Sequence, residues 1–196
     1  MVNELVESYL NEFKRILSDL DKDKISQLVD KIKETNEKGR TIFLIGNGGS
    51  ASTASHWACD LVKGTIKDFE DKNEKRLKVI CLTDNIPIMT AYANDLSYDE
   101  IFSQPLKNLV KKGDLLIAIT CSGKSKNIMR GIEVAKEAGN YVFSLVGFDG
   151  GNVAPISDNF LIVPSKNYGI IEDFHLVLNH LVTASLKGKN NYINDI

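Results

Sequence analysis

Two of the three histidines in this chain have an acidic residue at a helical spacing. His56 and Asp60 are four positions apart in a predicted helix, so their side chains project from the same face. An imidazole and a carboxylate side by side could act as an acid–base pair or as two metal ligands. The plainer alternative is a core histidine whose hydrogen bonds are satisfied, which is common on an apolar helix.

A second histidine group lies in the segment IIEDFHLVLNH, residues 170–180. On an ideal helix, Glu172 and His180 point in directions about 80° apart, whereas His175 and His180 differ by about 140°. We therefore expect Glu172 and His180 to pair, and His175 to look outward or towards a different cleft. An acid accompanies His180 as one accompanies His56, which favours a functional role for both histidines.

A glycine-rich loop, Gly46-Asn47-Gly48-Gly49-Ser50, follows the short apolar run Thr41–Ile45 and precedes a predicted helix over about 51–62. Glycines let the backbone approach an anion, and the amino terminus of the next helix presents unpaired N–H groups. The alternative is a tight strand-to-helix turn with Ser50 as the N-cap.

A second loop, Thr120-Cys121-Ser122-Gly123-Lys124-Ser125, also lies between an apolar run and a predicted helix. Its hydroxyl groups and backbone N–H groups could form a concave cluster of donors, although Ser and Thr are also ordinary helix caps. In open α/β sheets, loops at the carboxyl ends of the strands converge on one crevice. The two loops together therefore predict a shared phosphate site.

Neither loop has the order typical of a nucleotide site. The Walker pattern GxxxxGK[ST] is absent, and no GxGxxG with a distant acid occurs. Nucleotide hydrolysis and NAD chemistry are thus disfavoured, and we expect no nucleotide cofactor.

These loops belong to a regular alternation of strands and helices. Amphipathic helices are predicted over Val2–Leu20 and around 25–32, before the first strand. Further apolar runs predict strands at Val79–Leu82, Leu115–Ile119, Tyr141–Val146 and Phe160–Val163, and helices are predicted at Ile101–Lys111 and Ser125–Ala138. This order is typical of an α/β fold with a parallel sheet covered on both faces.

The length of 196 residues predicts a single domain. We divide it into a helical pair over 1–38, an α/β core over 39–187 and a frayed tail over 188–196. The polar stretch 67–78 is predicted to be a mobile surface loop.

Composition excludes several classes of partner. The formal net charge is −2, with acids and bases interspersed, so no footprint for nucleic acid or for an anionic membrane is present. No apolar run approaches the roughly 18 residues of a membrane span, and the amino terminus lacks the apolar centre of a signal peptide.

No CxxC spacing is formed by the three cysteines, Cys59, Cys81 and Cys121. This argues against disulfides and thiolate zinc sites and favours a cytoplasmic protein.

Four segments of the chain can now be taken together: GNGGSASTASHWACDL (46–61), AYANDLSYDEIF (91–102), ITCSGKSKN (119–127) and IIEDFHLVLNH (170–180). In sequence and order they resemble the SIS (sugar isomerase) domain family, and within it the phosphoheptose isomerases. The resemblance spans nearly the whole chain, including the two leading helices.

The resemblance implies a fold and an activity. The fold is a five-stranded parallel sheet in a flavodoxin-like three-layer sandwich, assembled as a homotetramer with active sites between neighbouring subunits. The activity is conversion of sedoheptulose 7-phosphate to D-glycero-D-manno-heptose 7-phosphate through an enediol.

The resemblance also implies residue roles. Phosphate would be held by Ser50, Thr120, Ser122 and Ser125. Asn47 and Asp95 would lie near the sugar, and Gly48, Gly49, Cys121 and Glu172 would also contact substrate. Asp60 and His180 would be the acid–base pair. One zinc per subunit would be bound by His56, Asp60, Glu172 and His180.

Four positions depart from the family pattern. Asp60 stands where glutamate is usual, Glu172 replaces glutamine, Lys124 replaces asparagine and Cys121 replaces threonine. The shorter Asp60 side chain matters because about 1 Å of misplacement is costly in catalysis. A metal-bound Asp60 would also be a weaker base, so its ligand and base roles need not coexist in one state.

Two other functions fit the same resemblance. One is an isomerase or sensor for another sugar phosphate, since the sequence does not separate sugars that differ in one hydroxyl. The other is a non-catalytic SIS scaffold that binds a protein through its tetramer surface. A scaffold has no need for His180 with paired acids, so the isomerase hypothesis is preferred.

Overall fold

The sheet consists of five parallel strands in the order β2-β1-β3-β4-β5. The structure, a computed structural model, describes residues 2–188. The strands are β1 (Thr41–Gly46), β2 (Lys78–Cys81), β3 (Leu115–Thr120), β4 (Tyr141–Gly147) and β5 (Asn159–Val163). The predicted α/β fold with a five-stranded parallel sheet is therefore confirmed.

Seven α-helices surround the sheet in the described part of the chain. They are α1 (Val2–Asp19), α2 (Lys22–Glu37), α3 (Gly49–Cys59), α4 (Ile86–Asp95), α5 (Ser103–Leu109), α6 (Lys126–Glu137) and α7 (Tyr168–Lys187). A π-helical turn, Asp60–Gly64, continues α3, and short 3₁₀ turns lie at Tyr98–Glu100 and Ala154–Ile156. None of the described helices has the length and apolarity that crossing a membrane requires.

The strands bury both of their faces because their side chains alternate between two apolar layers. In β1, Ile42 and Leu44 pack with α2, α3 and α7, whereas Phe43 and Ile45 face the layer that contains α5 and α6. Every residue of β3 is buried. Near-continuous apolar strands in the sequence thus correspond to a sheet covered on both sides.

Two helical features differ from the sequence prediction. The helix α4 was not predicted, although Asn85 caps it by accepting a hydrogen bond from the Ile88 N–H, and Pro87 lies in its first turn. The helix predicted over Ile101–Lys111 is shorter, because a 3₁₀ turn precedes α5. Of the predicted tail, Gly188 is the C-cap of α7, and 189–196 lie outside the described residues.

Candidate active site

The two predicted phosphate loops meet at one end of the sheet. The glycine loop (46–50) follows β1 and the serine loop (120–125) follows β3, and these strands are neighbours from which the chain proceeds in opposite directions. Such a switch in strand order opens a crevice at the carboxyl ends of the strands. The two loops thus lie side by side at this edge of the sheet, and a phosphate site shared between them remains a prediction.

Two asparagines join the loops. The side chains of Asn47 and Asn127 exchange hydrogen bonds of 2.9 and 2.8 Å, and the Tyr98 hydroxyl donates to Asn47 Oδ1 at 3.1 Å. Asn127 lies in the first turn of α6, so these bonds tie the start of that helix to the glycine loop. Neither Asn127 nor Tyr98 was predicted as a site residue, although both lie within segments that resemble the family.

The glycine loop is shaped by close backbone approach. Gly48 has a φ of 55° and is the N-cap of α3. A Cβ at Gly46 would lie 2.5 Å from the Ser50 carbonyl oxygen. Ser50 is therefore inside the helix rather than its N-cap, and its buried hydroxyl lies 3.9 Å from Cys121 Sγ.

The carboxyl group of Glu172 packs against this same loop. A Cβ at Gly49 would overlap the Glu172 carboxyl atoms, so a larger residue at this position would displace that side chain. The Cys121 thiol donates to Glu172 Oε1 at 3.8 Å. Burial, with a smaller contribution from the Glu172 carboxylate, raises the pKa of Cys121 to about 11, so the thiol keeps its proton at neutral pH.

The serine loop is locked by a different contact. Gly123 has a φ of 64°, and a Cβ there would overlap the Gly150 carbonyl oxygen. The Gly123 carbonyl accepts hydrogen bonds from Asn152 N–H and Val153 N–H. Ser125 is the N-cap of α6, and its hydroxyl makes no capping bond. Its side chain and the helix amino terminus therefore remain available to an anion.

Asp95 is the last residue of α4 and is exposed. The contact found for its carboxylate is a 2.9 Å hydrogen bond from Asn94 Nδ2. Its expected position near the sugar therefore remains a prediction.

A second cluster of chemical groups is formed by His56, Asp60 and His180. His56 Nε2 lies 3.3 Å from Asp60 Oδ2, His180 Nε2 lies 3.6 Å from the same oxygen, and the two imidazole Nε2 atoms are 3.2 Å apart. Asp60 begins the π-helical turn that continues α3. Both histidine side chains are about half exposed, at 48% and 56%. We call these three residues the histidine cluster.

Within one chain, Glu172 lies outside the histidine cluster and does not pair with His180. Eight residues of α-helix separate two side chains by about 12 Å along the axis, in addition to the angle of about 80° around it. Glu172 contacts the glycine loop, whereas His180 is two turns further along α7. One chain thus brings together three of the four expected metal ligands.

His175 is completely buried, so the expectation that it looks outward or into another cleft is also wrong. It lies on the face of α7 that packs into the core with Phe174 and Leu178. Neither ring nitrogen makes a hydrogen bond of good geometry, although the Val146 backbone lies near enough to favour the protonated ring. Burial lowers the pKa of His175 to about 4, against a small opposing effect of the Val146 backbone.

The histidine cluster fits a divalent metal. Its two imidazole nitrogens and one carboxylate oxygen all lie within 4.8 Å of one another. Three nitrogen or oxygen ligands with an open fourth position form the usual donor set of a catalytic zinc site. The same three groups could also transfer protons, because imidazole and carboxylate are the common acids and bases of enzymes.

The chain is similar in sequence and in fold to proteins of one family. The model of the SIS domain family matches residues 8–147. A probable phosphoheptose isomerase from Thermoplasma acidophilum is 36% identical over 92% of this chain and 97% of its own length. A phosphoheptose isomerase from Helicobacter pylori is 37% identical over 93% and 94%, respectively. The solved structure of phosphoheptose isomerase from Neisseria gonorrhoeae superposes with a TM-score of 0.86 at 27% identity, over 96% of this chain and 100% of that one.

Proposed function

This chain belongs to the SIS domain family, and we propose that it isomerises sedoheptulose 7-phosphate to D-glycero-D-manno-heptose 7-phosphate. The observation that carries the proposal is the presence, in one chain similar to phosphoheptose isomerases, of a hydroxyl-lined anion site and a His–Asp–His cluster. A purely protein-binding scaffold would use neither. The isomerase hypothesis therefore stands above the sensor and scaffold alternatives.

We assign the substrate phosphate to the serine loop. The hydroxyls of Thr120, Ser122 and Ser125 border the amino terminus of α6, where the helix dipole favours an anion. At the glycine loop, by contrast, the Glu172 carboxyl already packs against the first turn of α3. A dianion is repelled there, so the glycine loop faces the sugar rather than the phosphate.

The reaction moves two protons. A base removes a proton from C1 of the ketose, giving an enediol, and the proton is returned to C2. The O1 hydroxyl proton is lost and O2 gains one, so that the carbonyl moves from C2 to C1 without a net change in atoms. Asp60 and His180, 3.6 Å apart, are proposed as the base and the group that shuttles the hydroxyl proton.

The proposed cofactor is one zinc ion per chain, held by His56, Asp60 and His180. When bound, it would polarise the carbonyl oxygen and stabilise the developing oxyanion. When the metal is bound, a side chain that coordinates it is a weaker base. Asp60 and His180 would therefore not act as metal ligand and as proton-transfer group in the same state. Inductively coupled plasma mass spectrometry of the purified protein should find about one divalent ion per chain, and His56→Ala should lower that content.

We further propose that each active site combines two chains. Glu172 and the loops lie at the carboxyl ends of the strands, while His180 lies about 12 Å further along α7 on an exposed surface. The crevice of one chain would therefore be completed by the histidine cluster of a neighbour, with Glu172 as the fourth ligand across the interface.

Exposed apolar side chains support assembly into a tetramer. In α1 they are Val2, Leu5, Val6, Leu10 and Leu17, and in α4 they are Ile86 and Ile88. Beside α4, Ile88, Tyr92 and Leu109 line an apolar groove of about 320 Å³. Patches of this kind on a folded chain mark interfaces. Light scattering at micromolar concentration should give the mass of four chains, and a mass near that of one chain would contradict the assembly.

The three cysteines are free in the structure, and two of them are buried. Free thiols persist in a reducing compartment. A cytoplasmic location is therefore proposed.

Mixed oligomers provide a sharp test of the function and the shared site together. Ser125→Ala and His180→Ala should each be impaired in converting sedoheptulose 7-phosphate. When the two variants are unfolded and refolded together, sites that pair one intact crevice with one intact histidine cluster should regain turnover. Absence of activity in the parent chain would overturn the isomerase proposal, whereas activity in the parent without complementation would overturn only the two-chain site.

A further inference from the structure

A second cavity adjoins the serine loop, on the side away from the crevice. It has a volume of about 710 Å³ and is lined by α1 and by the segments that follow β3, β4 and β5. Small-molecule sites commonly have about 300–1,000 Å³. Ser122 lines this cavity and also belongs to the proposed phosphate site. The other residues that line this cavity are not part of the proposed isomerase site.

The wall of the cavity carries more basic than acidic side chains: Arg15, Lys124 and Lys166 against Glu12 and Asp149. The acids are engaged within the chain: Ser165 donates to Glu12 Oε1 at 2.6 Å, and the Gly151 N–H donates to Asp149 Oδ1 at 3.1 Å. Within residues 2–188, no hydrogen bond or ion pair engages the ammonium groups of Lys124 and Lys166. The neutral donors to the two acids leave both carboxylates charged, so the three basic and two acidic side chains give the wall a net formal charge of +1, with both lysine ammonium groups unpaired.

An aromatic pair forms another part of the wall. The rings of Phe148 and Tyr168 pack edge to face, with centroids 5.1 Å apart, and Tyr168 remains 56% exposed. Phe148 is the one non-glycine residue with a positive φ in the described chain, at 52°. A bulky residue in this conformation is strained and persists only where its surroundings require it. The strained backbone places an aromatic ring at the cavity.

The start of α7 adds a further contribution. This 20-residue helix begins at Tyr168, directly after Lys166 and the N-cap Asn167. The positive end of its dipole therefore lies beside the unpaired lysine at the cavity wall. The lysine charge and the helix dipole both favour an anion at the end of the cavity near Lys166. The exposed face of the Tyr168 ring could stack against a ring of the ligand.

We propose that this cavity binds a phosphate ester whose remaining part presents a ring, either a sugar or a nucleobase, at the same time as substrate occupies the crevice. The phosphate lies near Lys124 and Lys166, and the ring lies on Tyr168. Because Ser122 borders both sites, occupation of the cavity changes substrate affinity. That coupling rests on the proposed function, whereas binding in the cavity does not.

Calorimetric titration of the full chain tests this proposal. A Ser125→Ala background weakens binding in the crevice, and AMP, glucose 6-phosphate and inorganic phosphate serve as probes. We expect AMP or glucose 6-phosphate to bind at one site per chain, at least about tenfold more tightly than inorganic phosphate. The two organic probes separate nucleobase from sugar as the preferred ring.

Substitutions locate the site. Adding Lys166→Gln or Tyr168→Ala to the background should weaken the preferred probe about tenfold or more, since a hydrogen bond to a charged group or a stacked ring is lost. Lys107→Gln, an exposed lysine on α5 outside this cavity, is the matched control and should leave binding unchanged. The proposal is overturned if neither organic probe binds, if inorganic phosphate binds equally well, or if the cavity variants bind like the control.

Catalysis gives an independent readout. Lys166→Gln in the otherwise unaltered chain should keep its isomerase activity when no probe is present, but lose the effect of the probe on the KM for substrate. If the chain proved to have no isomerase activity, the calorimetric result would still decide the cavity proposal.

Discussion

The crevice and the histidine cluster are built in different ways. The crevice is made of backbone and small side chains that are locked in place: Gly123 packs against Gly150, and Asn47 and Asn127 bond to each other across the two loops. The histidine cluster consists of side chains on helical surfaces, and its two imidazoles are about half exposed. The proposed binding loops are thus held in place within one chain, whereas the proposed proton-transfer groups are partly exposed.

The same helix serves both regions. From α7, Glu172 reaches the glycine loop, and two turns later His180 reaches Asp60. Between them His175 points into the core. The role of a residue on α7 therefore does not follow from its type alone. It depends on its height along the helix axis and on whether its face of the helix packs against the sheet.

The largest expected effect is a loss of turnover when the histidine cluster is mutated. His180→Ala should lower kcat about 10²–10⁴-fold, because it removes a proton-transfer group. The KM for sedoheptulose 7-phosphate should change little, because the crevice stays intact. Steady-state assays decide this, with Ser185→Ala on the exposed side of α7 as the control. A raised KM with an unchanged kcat would instead place His180 in substrate binding.

The buried histidine of α7 should affect stability rather than turnover. The pKa of His175 falls from its ordinary 6.5 to about 4 in the folded chain. The unfolded chain therefore binds the proton more readily, and stability that is present above pH 6.5 is lost as the pH falls through 4. The loss is about 3 kcal/mol, at roughly 1.4 kcal/mol per pKa unit.

Urea unfolding at pH 7 and pH 4 measures this loss. His175→Leu, which removes the titrating group, should reduce the loss of stability between these pH values by about 3 kcal/mol, whereas His180→Ala should retain it. An equal pH dependence in the parent and the His175→Leu variant would contradict the assignment.

Within the crevice, the two loops should respond unequally. Ser125→Ala should weaken phosphate binding about 10- to 150-fold, the equivalent of 1.5–3 kcal/mol for a hydrogen bond to a charged group. Ser50→Ala should do less, because the Ser50 hydroxyl is buried next to Cys121. Inhibition constants for inorganic phosphate provide the measurement. Equal losses would mean that both loops hold the anion.

The smallest expected effect concerns the acid in the crevice. Glu172→Gln removes a negative charge beside the glycine loop while keeping the shape of the side chain. Phosphate should then bind about two- to fivefold more tightly at low salt, an amount typical of partly exposed charge pairs, and the gain should shrink as salt is added. Weaker binding in this variant would show that the Glu172 carboxylate itself holds substrate.

Much of the crevice could be predicted because its signals are local. An apolar run followed by glycines or serines and then a helical pattern predicts a strand, a loop and a helix, and parallel strands place such loops at one edge. The two-residue pair His56 and Asp60 was likewise predictable, since one helical turn separates them. The missed helix α4 also carried a local signal, in Asn85 and Pro87.

Local sequence patterns were sufficient to predict the five strands, the two loops and the pairing of His56 with Asp60, because each depends on neighbours within a turn or a strand. The packing of Glu172 on Gly49, the burial of His175 and the hydrogen bond between Asn47 and Asn127 are seen only in the folded chain. These contacts depend on which face of α7 and α6 packs against the sheet and at what height. That choice is made by the burial of the whole apolar core, to which residues from every element contribute.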